Sequence, residues 1–379
     1  MRQKQILSYV KPTNYCNVDC DHCYLPLDVR QDRHAMNSDM LKTTATFLLN
    51  VVSQTRAKSL IWLWHGGEPF MLKPKFYRDA GKIIDEVFID KTMLIEAVQT
   101  SLIPYTSAMG ELAHERWDSY IGTSIDFEMR HLKGNKDYLE TFMTKVDLAR
   151  SDGIYVLPGM VPSKSEIGKM ASIVKWFDEN GFDAFNIDRY NNYTGNQIPL
   201  TSFAGRPTNE EHSNMLIELF DDLIYRFENK KKTLKINVLE AGIRGVLKHQ
   251  PGDRWGGNCQ SDFVVINPDG TTSNCPDKAS YENFGNISEG SSSFLNNKLR
   301  TKSITNHSLN HMNQYCSSCS FNDWCQTGCP ITSNNIEKEG DCAGYSKFLN
   351  HIKNSAKDEK ILGYLEDYIN LNFLKVIVS

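Results

Sequence analysis

Short apolar runs alternate with longer amphipathic stretches from residue 5 to about residue 190. The runs 6–10, 60–64, 94–100, 120–126, 154–161 and 184–190 are rich in β-branched and aromatic side chains, which predicts strands. Between them the apolar positions fall three and four apart, the period of a helix with one buried face. One such helix opens near Asn37-Ser38, where Asn37 reads as an N-cap, and runs through Leu41, Leu48, Leu49 and Val52. Others are predicted over 76–88, 108–117, 138–151 and 167–180, the last followed by Gly181 as its C′ glycine. Six β–α repeats with buried strands imply a parallel sheet with crossover helices. Six repeats fall short of the eight of a closed barrel, so an α/β fold built on a partial (β/α)6 TIM barrel is expected. An open doubly wound sheet is the alternative. Beyond it, 191–207 is loop-rich, 210–230 reads as a long helix with Leu216, Leu219, Phe220 and Leu223 on its apolar face, and 346–379 as a helical tail.

In parallel α/β folds, ligands sit at the carboxyl ends of the strands. The notable polar segments of this chain fall there. A cysteine loop follows strand one, His65-Gly66-Gly67-Glu68-Pro69 follows strand two, Gln99-Thr100-Ser101 ends strand three, and Ser124-Ile125-Asp126 ends strand four. Four such segments converging on one rim mark it as the candidate site.

Charge removes some function classes. With 42 basic against 46 acidic residues the net charge is −4, and no basic run tracks a phosphate backbone, so nucleic acid is not an expected partner. The first residues, MRQKQILSYVKP, hold too short an apolar run for a signal peptide, and no stretch of about 18 apolar residues occurs. A cytoplasmic protein without a membrane segment is expected. Ten cysteines in such a compartment point to metal rather than disulfides. The first three stand as Cys16-x3-Cys20-x2-Cys23. Three thiolates on a four-iron cube leave one iron without a protein ligand, open to a substrate or cosubstrate. A zinc site is the competing reading, but it wants four ligands and usually paired Cys-x2-Cys.

That loop, with His22 before its last cysteine, resembles the signature of the radical S-adenosylmethionine (SAM) superfamily. Gly66-Gly67-Glu68 matches the family's GGE motif, which implies that Gly66, Gly67 and Glu68 receive the α-ammonium of SAM. Ser124 resembles the strand-four serine that holds the SAM carboxylate. Arg130 resembles the arginine closing the same clamp, although Phe127 stands where a glycine is common; a solvated loop charge is its other reading. Tyr24 and Gln99 complete the expected cofactor-binding set, with Tyr24, Asn186 and Ile187 as candidates to border the adenine.

The remaining cysteines run Cys259-x10-Gly270-x4-Cys275, then Cys316-x2-Cys319-x5-Cys325-x3-Cys329, then Cys342. Asn267-Pro268-Asp269-Gly270 supplies a turn between two strand-like runs. The full pattern, with Phe284-Gly285-Asn286-Ile287, resembles the SPASM domain, the auxiliary-cluster extension of radical SAM enzymes that modify peptides and proteins. Two zinc knuckles are the alternative. The resemblance implies three [4Fe–4S] clusters: one on Cys16, Cys20 and Cys23, a nearer auxiliary cluster on Cys259, Cys275 and Cys329, and a distal one on Cys316, Cys319, Cys325 and Cys342. No cysteine is then left over. Sulfatase-maturing relatives carry a further cysteine before the first of the seven. Here that stretch begins at Asp253 and has none, so the nearer cluster is expected to have an open iron, or Asp253 or solvent as its ligand. The implied domains are a radical SAM partial barrel over 1–235, a bridging region and SPASM domain over 236–345, and the tail over 346–379.

By the same resemblance, a reduced first cluster cleaves SAM to methionine and a 5′-deoxyadenosyl radical, which abstracts hydrogen from an unactivated C–H bond. Auxiliary clusters suit the removal of a further electron, so oxidative modification is expected. Cys23-Tyr24-Leu25-Pro26 and Trp64-His65-Gly66-Gly67-Glu68-Pro69 look like maturases of ribosomally made peptides, in particular cyclophane formers. The implied partners are a precursor peptide, an electron donor such as flavodoxin or ferredoxin, and, as the chain begins directly with the barrel, a separate leader-binding protein. Asp277 lies near where sulfatase maturases place an acid–base aspartate, with Pro276 breaking the match; a plain loop carboxylate is its other reading. Oxidation of a small molecule such as a sugar or amino-acid derivative, sulfatase-maturase-like protein modification, and a non-catalytic iron–sulfur carrier are the competing functions.

Overall fold

The computed structural model describes residues 4–132, 137–191, 205–278, 282–310 and 314–371. Most of the loop-rich stretch expected over 191–207, and the end of the expected tail from residue 372, lie outside them. The strands are β1 (Gln5–Val10), β2 (Val18–Cys20), β3 (Ser59–Trp64), β4 (Leu94–Thr100), β5 (Tyr120–Ser124), β6 (Arg130–Leu132), β7 (Tyr155–Met160), β8 (Ala184–Ile187), β9 (Lys235–Ile236), β10 (Phe263–Ile266) and β11 (Thr272–Ser273). The chain divides into two compact units. Met1–Leu157 with Asn258–Ile304 builds the first; Pro158–Asn192, Pro199–Gly257 and Thr305–Ser379 build the second.

In the first unit the strand order is β11-β10-β1-β3-β4-β5, parallel throughout except for β11, which runs antiparallel to β10. Five of the six residues of β3 are buried, as befits an inner parallel strand apolar on both faces. The register aligns the carboxyl ends: Val10 stands beside Trp64 and Ile266, and Trp64 beside Val98. Lys11, His65, Gln99 and Asn267 therefore sit one position beyond a common row.

Helices Ser38–Thr55, Pro74–Val87 and Ser107–Arg116 contribute the buried faces Leu41, Leu48, Val51 and Val52; Tyr77, Ala80 and Ile84; and Met109, Leu112 and Ala113. Asn37 caps the first of these, its side-chain oxygen accepting from Met40 N at 2.9 Å. The hairpin β10–β11 turns at Asn267–Gly270 as its sequence predicts: Gly270 has φ +82°, and Asn267 N donates to Thr271 O at 2.9 Å.

In the second unit Gly159 and Met160 of β7 pair in parallel with Asn186 and Ile187 of β8, and β8 pairs in parallel with β9. The helix expected over 167–180 is shorter, Met170–Glu179, because Gly168 at φ +75° separates it from a 3-10 turn at Lys164–Glu166. Helix Asn209–Glu228 begins with a reciprocal cap in which Thr208 and Glu211 each accept from the other's backbone N–H. Helix Asn237–Lys248 packs closely on its neighbours: a Cβ on Gly245 would lie 2.3 Å from the Trp324 ring. The tail forms helices Ser346–Ser355 and Glu359–Asn370, anchored by buried Phe348, Leu349, Ile352 and Tyr368. Among the described residues no helix is long and apolar enough to cross a membrane.

Candidate functional site

The cysteine loop is placed by a backbone contact that only glycine permits. Past β1 the chain runs alongside the end of β3: His65 N donates to Val10 O at 3.0 Å, Gly67 N to Thr13 O at 3.1 Å, and Glu68 N to Tyr15 O at 2.8 Å. A Cβ on Gly66 would fall 2.3 Å from Thr13 O, and one on Gly67 2.1 Å from Asn14 O. The two glycines thus admit the segment that leads into Cys16. The loop then closes on itself through Cys23 N to Cys20 O at 3.2 Å and Cys16 N to Arg30 O at 3.1 Å.

Within the loop, β2 pairs antiparallel with β6, which sets Cys20 opposite Arg130. Burial pushes the Cys16 thiol up to about 12, with Glu68 and Cys23 adding to it. Cys20 and Cys23 are likewise raised by burial, Cys20 also by its two partner cysteines. Three crowded, buried thiols resist ionisation, and a cationic iron core reverses that balance. The donor set fits a cluster.

Glu68 is fully buried and joins two strand ends. One carboxylate oxygen accepts from Phe70 N at 2.8 Å and Thr100 Oγ1 at 2.6 Å, the other from Ser101 N at 2.6 Å. Burial raises its pKa against those hydrogen bonds. One strand over, Gln99 Nε2 donates to Ser124 Oγ at 2.9 Å, across from Gly122, where a Cβ would lie 2.2 Å from Gln99 Oε1.

Arg130 is 11% exposed and its Nε donates to Asp126 at 2.6 Å, so it is no solvated loop charge. Burial opposes its cation, yet Cys20, Asp126 and Tyr138 hold the guanidinium well above its ordinary pKa. Tyr138, which the sequence pattern marked only as the start of a helix, ties these parts together. Its hydroxyl donates to Ser124 O at 2.9 Å, and its electrostatic neighbours are Arg130, Asp126, Cys20 and Glu68.

A second polar group lies at the ends of β1 and β3. His65 Nδ1 accepts from Gly66 N at 2.8 Å, which fixes that nitrogen as the unprotonated one, and stands 3.4 Å from Tyr24 Oη. Burial and the charge of Lys11 hold His65 at about 3, so its ring is neutral. Lys11 is wholly buried, with Nζ 4.9 Å from the centre of the Tyr24 ring. Burial lowers it to about 8, opposed by Asp277, Cys23 and Cys275. Asp277, in a 3-10 turn at Pro276–Lys278, also acts on Tyr24. Asp277 is thus within electrostatic reach of Tyr24 and Lys11. Lys11 itself gave little sequence signal: one lysine after an apolar strand.

The later cysteines gather in two places. In the first unit the hairpin β10–β11 brings the Cys259 and Cys275 segments together, with buried Asn274 Nδ2 donating to Gln260 O at 3.1 Å. In the second unit Cys325 is raised by burial and then by Cys342, Cys319 and Cys316, the cysteines that the family resemblance groups with it. A Cβ on Gly344 would lie 2.6 Å from Cys325 Sγ and 3.8 Å from Cys342 Sγ. Cys329, also in this unit, acts on buried Tyr345. Asp253 is engaged locally: Asn237 Nδ2 donates to it at 2.6 Å and Arg254 Nε at 2.8 Å.

No protein-family model matches the chain. An uncharacterized protein of Methanothermobacter thermautotrophicus is 28% identical over 176 residues, 45% of this chain and 63% of that protein, so the match spans less than two thirds of its length. The serine-type anaerobic sulfatase-maturating enzyme of Bacteroides thetaiotaomicron is 21% identical over 92% of this chain and 90% of its own. Among solved structures, native anSMEcpe with bound AdoMet and the Cp18Cys peptide superposes with a TM-score of 0.76 at 16% identity, covering 96% of this chain and 99% of that one. Streptococcus suis SuiB bound to precursor peptide SuiA gives 0.60 at 16% identity, covering 89% and 74%. The chain has the α/β fold of these structures, with its parallel strands followed by the cysteine-rich region.

Proposed function

We propose that this protein is a radical SAM enzyme that oxidises a side chain of a ribosomally made peptide. One observation carries the reading. Within a single compact unit, Cys16, Cys20 and Cys23 meet Arg130, Glu68 and the Gln99–Ser124 pair, with Tyr138 joining them. Cys16, Cys20 and Cys23 would hold a [4Fe–4S] cluster, and the other seven cysteines two more. When bound, the first cluster with SAM would supply radical hydrogen abstraction, and an auxiliary cluster would supply a site for the electron the substrate loses.

The chain's own residues do the rest. Arg130 offers a buried guanidinium to the SAM carboxylate. Glu68 fixes the strand ends around its ammonium, and Gln99 orients Ser124. Tyr24 borders the cosubstrate, and Asp277 takes the proton that the oxidised substrate releases. The peptide substrate is supported by the two structural neighbours described with bound peptides. An oxidative cross-link is the proposed product. Sulfatase-maturase-like modification of a protein side chain is a second reading, favoured by the match along 92% of the chain and by Asp277 acting electrostatically on Tyr24. Either reaction needs an electron donor such as flavodoxin or ferredoxin and a reducing, cytoplasmic setting. A leader-binding protein is proposed for the peptide reading.

Anaerobic reconstitution should give about twelve irons, four per cluster. With dithionite and SAM the protein should release 5′-deoxyadenosine. Changing Cys16, Cys20 and Cys23 together to Ala should remove about four irons and all of that release. Release that survives the triple change would refute the assignment of the loop.

A further inference from the structure

Lys11 is a buried residue of the site whose charge the proposed reaction leaves unused. Its side chain is wholly buried, and among the described residues no hydrogen-bond acceptor reaches its Nζ. An unpaired buried ammonium is strongly unfavourable, so a fold that retains one has negative charge nearby to answer it. The backbone is held: Lys11 N donates to Ile266 O at 2.9 Å, at the end of the strand that enters the hairpin leading to Cys275. On its other side a Cβ at Gly66 would come within 3.3 Å of Lys11 Cβ. The ammonium lies 4.9 Å from the centre of the Tyr24 ring, next to Cys23 in the chain, and its electrostatic partners include Asp277, Cys23 and Cys275.

We propose that Lys11 is a positioning cation shared by two iron–sulfur clusters, whose positive charge favours the reduced state of both the cluster at Cys16, Cys20 and Cys23 and the cluster at Cys275. The inference rests on the cluster assignment above. An anionic substrate group is the poorer partner, because Asp277 and two ligating thiolates already exceed the single positive charge. A reduced cluster carries one more negative charge than an oxidised one, so a fixed cation nearby makes each reduction easier. An electron entering at the first cluster and one leaving through the second would both pass under the influence of this one ammonium.

The experiment is a potentiometric titration of the iron-loaded protein followed by electron paramagnetic resonance, on the wild type, Lys11→Met and Lys11→Arg. The Met variant keeps the stem and removes the charge; the Arg variant keeps the charge. Both clusters should become harder to reduce in Lys11→Met, by at least about tenfold in the reduction equilibrium, which is about 59 mV for one electron. Lys11→Arg should restore most of the shift. If Lys11→Met does not fold, Lys11→Gln is read by the same criterion. Full iron with either cluster's potential unmoved overturns the proposal, as does an equal shift in the Met and Arg variants, which would mark a packing effect. A wild type that loads no iron overturns the cluster assignment itself, an outcome that iron analysis separates from the others.

Discussion

Glu68 shows how one carboxylate serves both fold and site. Its three hydrogen bonds close the end of β3 on the end of β4. Glu68→Ala would leave the N–H groups of Phe70 and Ser101 buried without partners, at about 1–3 kcal/mol each. Chemical denaturation should register a loss of that order, together with a fall in SAM affinity of roughly tenfold or more. Full stability with weakened SAM binding would assign Glu68 to the ligand alone.

His65 makes a pH prediction. Its pKa is about 3 in the folded chain and about 6.5 in an unfolded one. Between those values the unfolded chain binds the extra proton, so stability falls as the pH drops below about 6.5, by up to about 1.4 kcal/mol per pH unit. In acid titrations of folding stability, His65→Gln should flatten that slope. An unchanged slope would place the acid sensitivity elsewhere.

At the scale of elements, what the sequence revealed and what it hid follow from length. The long periodic segments were legible: all six predicted strands form near their expected bounds, Asn37 caps its helix, and Gly181 takes φ +73° after Glu179. The pair β2–β6 was not, because three residues on each side carry no period, and nothing local announces that Cys20 faces Arg130. The parallel pairing of β10 with β1 joins residues more than two hundred positions apart and is equally silent in the sequence. Gly66 and Gly67 were legible as a motif, but the structure adds a cause: they admit the chain entering the cysteine loop. Gly67→Ala should displace that segment and lower iron loading by up to about four irons. Gly363→Ala, whose Cβ would meet nothing within 4 Å, is the control. Equal iron in both variants would separate the glycine from cluster assembly.

At the scale of the molecule, chemistry-bearing residues from distant parts of the sequence meet within the first unit at the aligned carboxyl ends of its parallel strands, where such folds place their ligands. Residue types and spacing made the ten cysteines readable, because their pattern is local. Lys11, Tyr138 and the clamp made by Glu68 were not readable, because their roles come from burial and from partners far along the chain. The proposed chemistry requires an iron at the first loop that is open to SAM. The direct measurement is the electron paramagnetic resonance spectrum of the reduced, iron-loaded protein, with and without SAM. SAM should shift one cluster signal, and that signal should be missing when Cys16, Cys20 and Cys23 are all changed to Ala. A spectrum that SAM leaves unmoved, or a SAM-sensitive signal that persists in the triple variant, would contradict it.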